Sequence, residues 1–256
     1  SRVCHEPPPG VNLRRIPLSI GNFFIREWEY FVKAGIRLRR EPFDIVHAHF
    51  PVWCPVQVFT SHGLAVSALR NFRNYPKVIR ETDLPLRRLL PYYLQIPLYG
   101  YHLRNRDTIV TAVSGKVRQD IAECYRRPAE EIPVIPNGVD LDLFHPDRGR
   151  KWRGKVRADL GIPDGHFVVL FVGNHFRHKG ARFAIEALSR LPGHAVLLVV
   201  GGDDPKTIPL PGGMLDAMLR ERRVRFISLD SEIWRYYGAA DAVVVPSLYE
   251  SFSLVV

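Results

Sequence analysis

Apolar, β-branched runs alternate with helical stripes along most of this chain. In the second half, Phe167–Val172, Ala195–Val200, Val224–Ile227 and Ala242–Val245 predict strands. Stripes at 181–191, 213–222 and 231–239 predict helices between them. Short strands alternating with helices imply parallel βαβ units, right-handed crossovers and a doubly wound sheet. The first half reads the same way. Phe24, Trp28, Phe31, Val32 and Ile36 recur at helical spacing and predict a core-facing helix over 22–40, ending in Arg37, Arg39 and Arg40. Phe43–His49 predicts a short buried strand, and Val56–Thr60, Thr108–Val113 and Ile132–Ile135 predict three more. Ser114 suits the N-cap of a helix running to Tyr125.

Two stretches break the alternation. Between 63 and 107, Arg70, Arg73, Arg87, Arg88, Arg104 and Arg106 are interleaved with Phe72, Tyr75, Tyr92, Tyr93, Tyr99 and Tyr101. Prolines at 76, 85, 91 and 97 interrupt any long helix, so the stretch predicts two short helices with solvated and buried sides. Phe144–Arg157 is polar, basic and glycine-containing, and the domain boundary is expected near 140–150. The chain therefore divides into domains 1–145 and 146–256, both α/β with a doubly wound parallel sheet.

Composition narrows the function. The hydrophobic share of 46% and charged share of 24% are those of a globular chain, and no apolar stretch approaches the ~18 residues of a membrane span. The start, Ser1-Arg2-Val3-Cys4, lacks the layout of a signal peptide and reads as a chain entered in the middle. Cys4, Cys54 and Cys124 are too few and scattered for a disulfide framework, which points to reduced thiols in the cytoplasm. The net charge of +10 is uneven: 20 Lys and Arg stand against 13 Asp and Glu up to Asp140, and 16 against 13 beyond it. A basic first half could meet nucleic acid, an anionic membrane or a phosphorylated substrate. A basic nucleic-acid-binding α/β protein is accordingly the alternative reading, because basic residues among aromatics can stack on bases. A dinucleotide-binding oxidoreductase is disfavoured, since no G-x-G-x-x-G follows any strand.

The strongest local chemistry lies at Phe171-Val-Gly-Asn-His-Phe-Arg-His-Lys-Gly180, where a strand turns into a helix. Such a junction leaves backbone N–H groups and a positive dipole end at the strand terminus. Gly173, Arg177 and Lys179 make it suitable for a diphosphate, although an ordinary βα turn with two solvated cations explains it equally well. In the first half, alternation puts His47 and His49 on one strand face, and His62 lies at the end of the next strand. No Cys or acidic partner stands at ligand spacing, so no metal site is expected there. Polar residues at the carboxyl ends of parallel strands point instead to a ligand crevice.

Several motifs occur in order: Asp44-Ile-Val-His-Ala-His49, Thr60-Ser-His-Gly63, Val113-Ser114, Ile135-Pro-Asn-Gly-Val-Asp140, Phe171-Val-Gly173 with Lys179-Gly180, and Pro246-Ser-Leu-Tyr-Glu-Ser-Phe-Ser-Leu-Val255. Together they resemble the family 4 retaining glycosyltransferases over residues 40–256. The resemblance implies the GT-B fold of two facing Rossmann-like domains, here incomplete at both ends, and a fragment that transfers sugar poorly on its own.

It also implies site roles. Lys179 matches the family's lysine on the donor diphosphate, with Arg177 acting for an arginine whose usual place is taken by Asn174. Glu250 matches the carboxylate that bonds hydroxyls of the transferred sugar. Ser251, Phe252, Ser253 and Leu254 would open a helix whose amides meet phosphate or sugar oxygens. His62 matches the histidine facing the reacting sugar, where it positions the sugar and stabilises charge. The resemblance thus implies metal-independent transfer, without a cofactor, from a nucleoside-diphosphate sugar to a hydroxyl of a lipid or glycan acceptor. The enzyme would be cytoplasmic, with peripheral contact to an anionic inner-membrane surface and no nucleic acid partner. Asp140-Leu-Asp142 spells the metal-binding D-x-D of another glycosyltransferase fold, but in this linker it reads as structural.

Overall fold

The computed structural model describes residues 10–19, 23–74 and 90–255. Cys4, Tyr75, Pro76, Pro85, Arg87 and Arg88 lie outside the described residues, as do the side chains of Phe24, Phe72, Arg73 and Pro91. The chain forms two units, one drawn from 1–66 and 90–135 and the other from 67–89 and 136–256. Both are α/β with parallel sheets.

The first unit holds a three-stranded parallel sheet, β1 (His47–Ala48), β2 (Val58–Ser61) and β3 (Ile109–Ala112), in that order. Phe43 and Ile45 are exposed, so the predicted buried strand over 43–49 shrinks to the two residues of edge strand β1. The fourth predicted strand is reduced to one bridge, Ala112 to Val134. Helix α1 (Phe23–Arg40) buries Glu27, Phe31 and Ala34, while Trp28 and Ile36 stay exposed. The expected apolar stripe is therefore rotated. Small residues take the inner face because the helix runs close to the backbone of Trp53, where a Cβ on Gly35 would come within 2.5 Å of the Trp53 carbonyl. Buried Glu27 is satisfied by Gln95, which donates at 2.7 Å.

After α2 (Ala65–Asn74), helix α3 (Leu90–Leu103) packs on α1, with Tyr101 edge-on to Phe31 at 5.8 Å. Among the described residues of 63–107 the helices are α2 and α3, and Pro97 lies inside α3 rather than interrupting it as expected. Ser114 caps α4 (Gly115–Tyr125) as expected, its side chain accepting from the Val117 amide at 3.2 Å.

In the second unit four parallel strands run in the order β6-β5-β4-β7. They are β4 (Phe167–Val172), β5 (Ala195–Val200), β6 (Val224–Ile227) and β7 (Ala242–Val243). Every residue of β5 is buried, which is why it reads as a continuous apolar run rather than an alternating one. Alternation divides it between two cores. Ala195, Leu197 and Val199 pack with α7 (Ala181–Leu188) and α8 (Met214–Arg220). Val196, Leu198 and Val200 pack with α5 (Pro146–Asp159) and α9 (Trp234–Ala239).

The stretch expected to be a polar linker is α5. Pro146 stands in its first turn, His145 caps it through Nδ1 to the Asp147 amide at 3.2 Å, and Asp147 favours the dipole. Gly149 has a packing role: a Cβ there would lie 2.9 Å from the Cα of Gly238 in α9. Asp140 accepts from the amides of Asp142 and Leu143 at 3.0 and 2.9 Å, the structural role read for this D-x-D. Asp241 ties α5 to the sheet, accepting from Arg157 and the Val168 amide at 2.7 Å each and pairing with Arg153.

Candidate active site

In the second unit, the turn after β4 brings the sequence-predicted residues together. Gly173 (φ +152°) lets the backbone pass under Lys179, whose Cγ would be 3.3 Å from a Cβ there. Asn174 accepts from the Gly202 amide at 2.8 Å, joining this turn to the loop after β5. The residue in the place of the family's arginine is thus a loop strut. A single helical turn, α6 (Phe176–Lys179), follows; Phe176 is buried against Phe171 and Phe226, with ring centroids at 6.1 and 6.0 Å. Asp203 accepts from the Phe176 amide at 2.8 Å, so a carboxylate already occupies that amide. Arg177 donates Nε–H to the carbonyl of Thr207 at 2.8 Å, anchoring it to the loop that follows β5.

Lys179 closes the turn. Its Nζ lies 2.6 Å from Glu250 Oε2, with the two side chains 31% and 26% exposed. That is half-buried, enough to strengthen the attraction and leave room for a ligand to compete. Ser247 donates its hydroxyl to the same carboxylate oxygen at 3.2 Å. The two loops are joined through their backbones: the Leu248 amide donates to the His178 carbonyl at 3.0 Å. Gly180 (φ +76°) is so close to Pro246 that a Cβ would lie 2.0 Å from its carbonyl oxygen. Only glycine fits there, for its dihedral and for space.

Residues 251–255 form bends and a turn, so the helix expected to begin at Ser251 is not formed among the described residues. Ser251, Phe252 and Ser253 are half-buried beside the pair, and Leu254 is exposed. The Ser253 hydroxyl is buried without a hydrogen-bond partner among the described residues.

The first unit carries the histidines. His62 stands just past the end of β2, exposed, with its Nε2 2.9 Å from His49 Nδ1. His47 lies 4.4 Å from His49, ring to ring, and its Nε2 is 2.7 Å from the Thr60 hydroxyl. Burial, then the charges that His47 and His62 can carry, hold His49 below the usual histidine range. Among the described residues no set of three or more His, Cys, Asp or Glu is placed to hold a metal ion.

Sequence reasoning placed His62 at a strand end and Lys179 at a strand–helix junction, and singled out Glu250 through its motif. It missed Ser247, Asp203 and the bond between His49 and His62. The spacing of Ser247 three residues before Glu250 was a legible signal for the first; the others depend on contacts between strands.

Comparison with known proteins adds the following. The model of the family described as Glycosyltransferase Family 4 matches residues 2–143, and that of Glycosyl transferases group 1 matches residues 153–256. A D-inositol 3-phosphate glycosyltransferase of Nocardia farcinica is 30% identical over 234 residues, which cover 83% of this chain and 48% of the relative. The chain spans about half the length of the curated relatives it matches. Among solved structures, WaaG, a glycosyltransferase involved in lipopolysaccharide biosynthesis, superposes with a TM-score of 0.72 at 22% identity, covering 96% of this chain and 65% of WaaG. Anabaena Alr3699/HepE in complex with UDP-glucose gives a TM-score of 0.52 at 23% identity, covering 80% of this chain and 50% of that protein.

Proposed function

The chain belongs to glycosyltransferase family 4, with the α/β architecture of the GT-B fold, and we propose that it serves to move a sugar from a nucleoside-diphosphate donor to an acceptor hydroxyl. The observation that carries this reading is the half-buried pair of Lys179 and Glu250 at the carboxyl end of β4, in loops joined by backbone contacts. A cation and a carboxylate in contact are matched to a ligand that has an anion next to hydroxyls. The diphosphate takes Lys179, and the released carboxylate accepts the sugar hydroxyls, so each group exchanges one partner for another and neither is left unpaired.

The other roles follow from position. The Ser253 hydroxyl, without a partner among the described residues, and the backbone of 251–254 supply further donors near Glu250. Arg177 contributes positive charge near the diphosphate from its anchor on Thr207. His62 orients the sugar and stabilises charge as the anomeric bond breaks. Transfer proceeds with retention, the departing diphosphate being neutralised by side-chain cations without a metal or other cofactor. The acceptor is a lipid or glycan hydroxyl. Exposed Ile25, Trp28 and Ile36 lie on α1 with Arg26, Lys33, Arg39 and Arg40, a composition suited to peripheral contact with an anionic, cytoplasm-facing membrane. No helix among the described residues is long and apolar enough to cross a membrane. Retention of the chain on anionic vesicles at low salt, lost in the double variant Trp28→Ser with Ile36→Ser, tests that contact.

The test of the main reading is ligand-linked stabilisation. UDP-glucose at a hundredfold excess over its Kd raises stability by about 2.7 kcal/mol. The gain is expected in the wild type and lost in Lys179→Ala. An unchanged melting temperature across a panel of nucleotide sugars, or equal stabilisation of the Lys179→Ala variant, overturns it.

A further inference from the structure

Two histidines meet at the carboxyl end of the first sheet, and their contact is repeated one pleat earlier by a second pair. The parallel register sets His47 beside Val58 and Ala48 beside Phe59. A β1 side chain therefore reaches diagonally to the residue two places further along β2. His47 meets Thr60 in this way at 2.7 Å, and His49 meets His62 at 2.9 Å. Thr60 continues to Thr111, its register partner on β3, at 2.7 Å between hydroxyls. Period-two alternation places His47, His49, Thr60 and His62 on one face, His49 and His62 standing just past the ends of β1 and β2.

A nitrogen–nitrogen contact of 2.9 Å between imidazoles holds only when one proton lies between them. Two imidazolium rings would bring together two donors and no acceptor, so the pair carries at most one positive charge. Whichever ring donates, Nε2 of His62 is committed to His49. Nδ1 of His62 has no partner among the described residues. His47, packed 4.4 Å from His49 with planes tilted by 35°, restricts the His49 ring in turn.

We propose that His49 is a positioning residue for His62, fixing the orientation of its ring so that Nδ1 is the atom offered to the donor sugar. This rests on the reading, given above, that His62 serves the reacting sugar. His49 touches no reacting atom in this scheme; it acts by removing the ring flip that would present Nε2 and Nδ1 in turn. His49→Ala frees the ring, whereas His49→Asn puts an amide group where Nδ1 stood and keeps the bond.

The experiment is nitrogen-15 NMR of the histidine rings in the 256-residue chain at pH 7.5, with UDP-glucose as the probe. Scalar coupling between His49 Nδ1 and His62 Nε2 is expected, with His62 in one tautomer. In His49→Ala the coupling is lost, His62 becomes a mixture of tautomers, and UDP-glucose binding weakens about three- to tenfold, the worth of one hydrogen bond. His49→Asn restores the single tautomer and the affinity. Absence of the coupling, or an unchanged His62 tautomer in His49→Ala, overturns the inference while leaving His62 available to the sugar. If the coupling is present but saturating UDP-glucose moves only Lys179 Nζ and not His62 Nδ1, the reading of His62 fails and the inference falls with it.

Discussion

Acidification from pH 7 to pH 5 is expected to destabilise the first unit by about 2 kcal/mol through His102 alone. His102 lies on α3 with no exposed surface, stacked on Phe59 at 4.9 Å. Its Nε2 sits between the amide and the carbonyl of Val52, at 3.1 and 2.9 Å, and Nδ1 has no partner among the described residues. Burial pushes its pKa down to about 4, and the bond to Val52 opposes this only in part. In the unfolded chain the same ring titrates near 6.5. Between those values the unfolded state holds a proton that the native state refuses, so stability falls as the pH drops through 6.5 and the loss is complete near 4. The whole interval is worth about 3 kcal/mol, of which about 2 kcal/mol falls between pH 7 and pH 5. Urea unfolding of the wild type and of His102→Phe at pH 7, 6 and 5 isolates the effect, because distant histidines cancel in the difference. The variant starts less stable, having lost the contact to Val52, but the gap between the two proteins should close by about 2 kcal/mol on acidification. Parallel pH profiles would falsify the assignment of His102 as a buried neutral ring.

Four further outcomes follow. Glu250→Gln should leave stability within about 1 kcal/mol, as expected for a half-exposed pair, yet weaken UDP-glucose while sparing UDP; calorimetry with both ligands separates the two, and equal loss for both contradicts the role in sugar binding. Gly180→Ala should lower stability by about 2 kcal/mol or more in urea, from its left-handed dihedral and its contact with Pro246, and should also impair donor binding. Gly238→Ala should force α5 from α9 and lose about 1–3 kcal/mol, since the new methyl would stand 2.4 Å from the Cα of Gly149. Asp241→Ala should lose about 3 kcal/mol by leaving buried Arg157 without its carboxylate, measured by chemical unfolding at neutral pH.

The second unit was the more legible half. Phe167–Val172 and Ala195–Val200 appear as strands with the expected limits because each is a six-residue apolar run flanked by turns, and the four-residue Val224–Ile227 keeps its limits by pairing with β5. The first unit was harder to read, since its strands are short and rely on neighbours. Phe43–Ile45 looked like part of a strand by composition yet lies exposed before an edge. In α1, apolar spacing pointed to Trp28 and Ile36, but close approach to Trp53 selected Ala34 and Gly35 for the inner face. Helix α5 was hidden by its polar composition and two glycines; only the cap by His145 and Pro146 hinted at it, and packing on α9 supplies the rest. At the site, Lys179 and Glu250 were identifiable from motifs, whereas their direct contact was not. A bond across 71 positions cannot be read from local pattern.

The backbone closure of Gly180 on Pro246, with the amide of Leu248 on the carbonyl of His178, makes the lysine and glutamate loops a single cassette. That closure runs through backbone atoms, while Glu250 adds the side-chain contact to Lys179 and Ser247 supports Glu250. On the proposed reading, exchanging the loop 247–254 between relatives while keeping Ser247 and Glu250 should change which sugar is preferred and leave the fastening of the Lys179 loop in place.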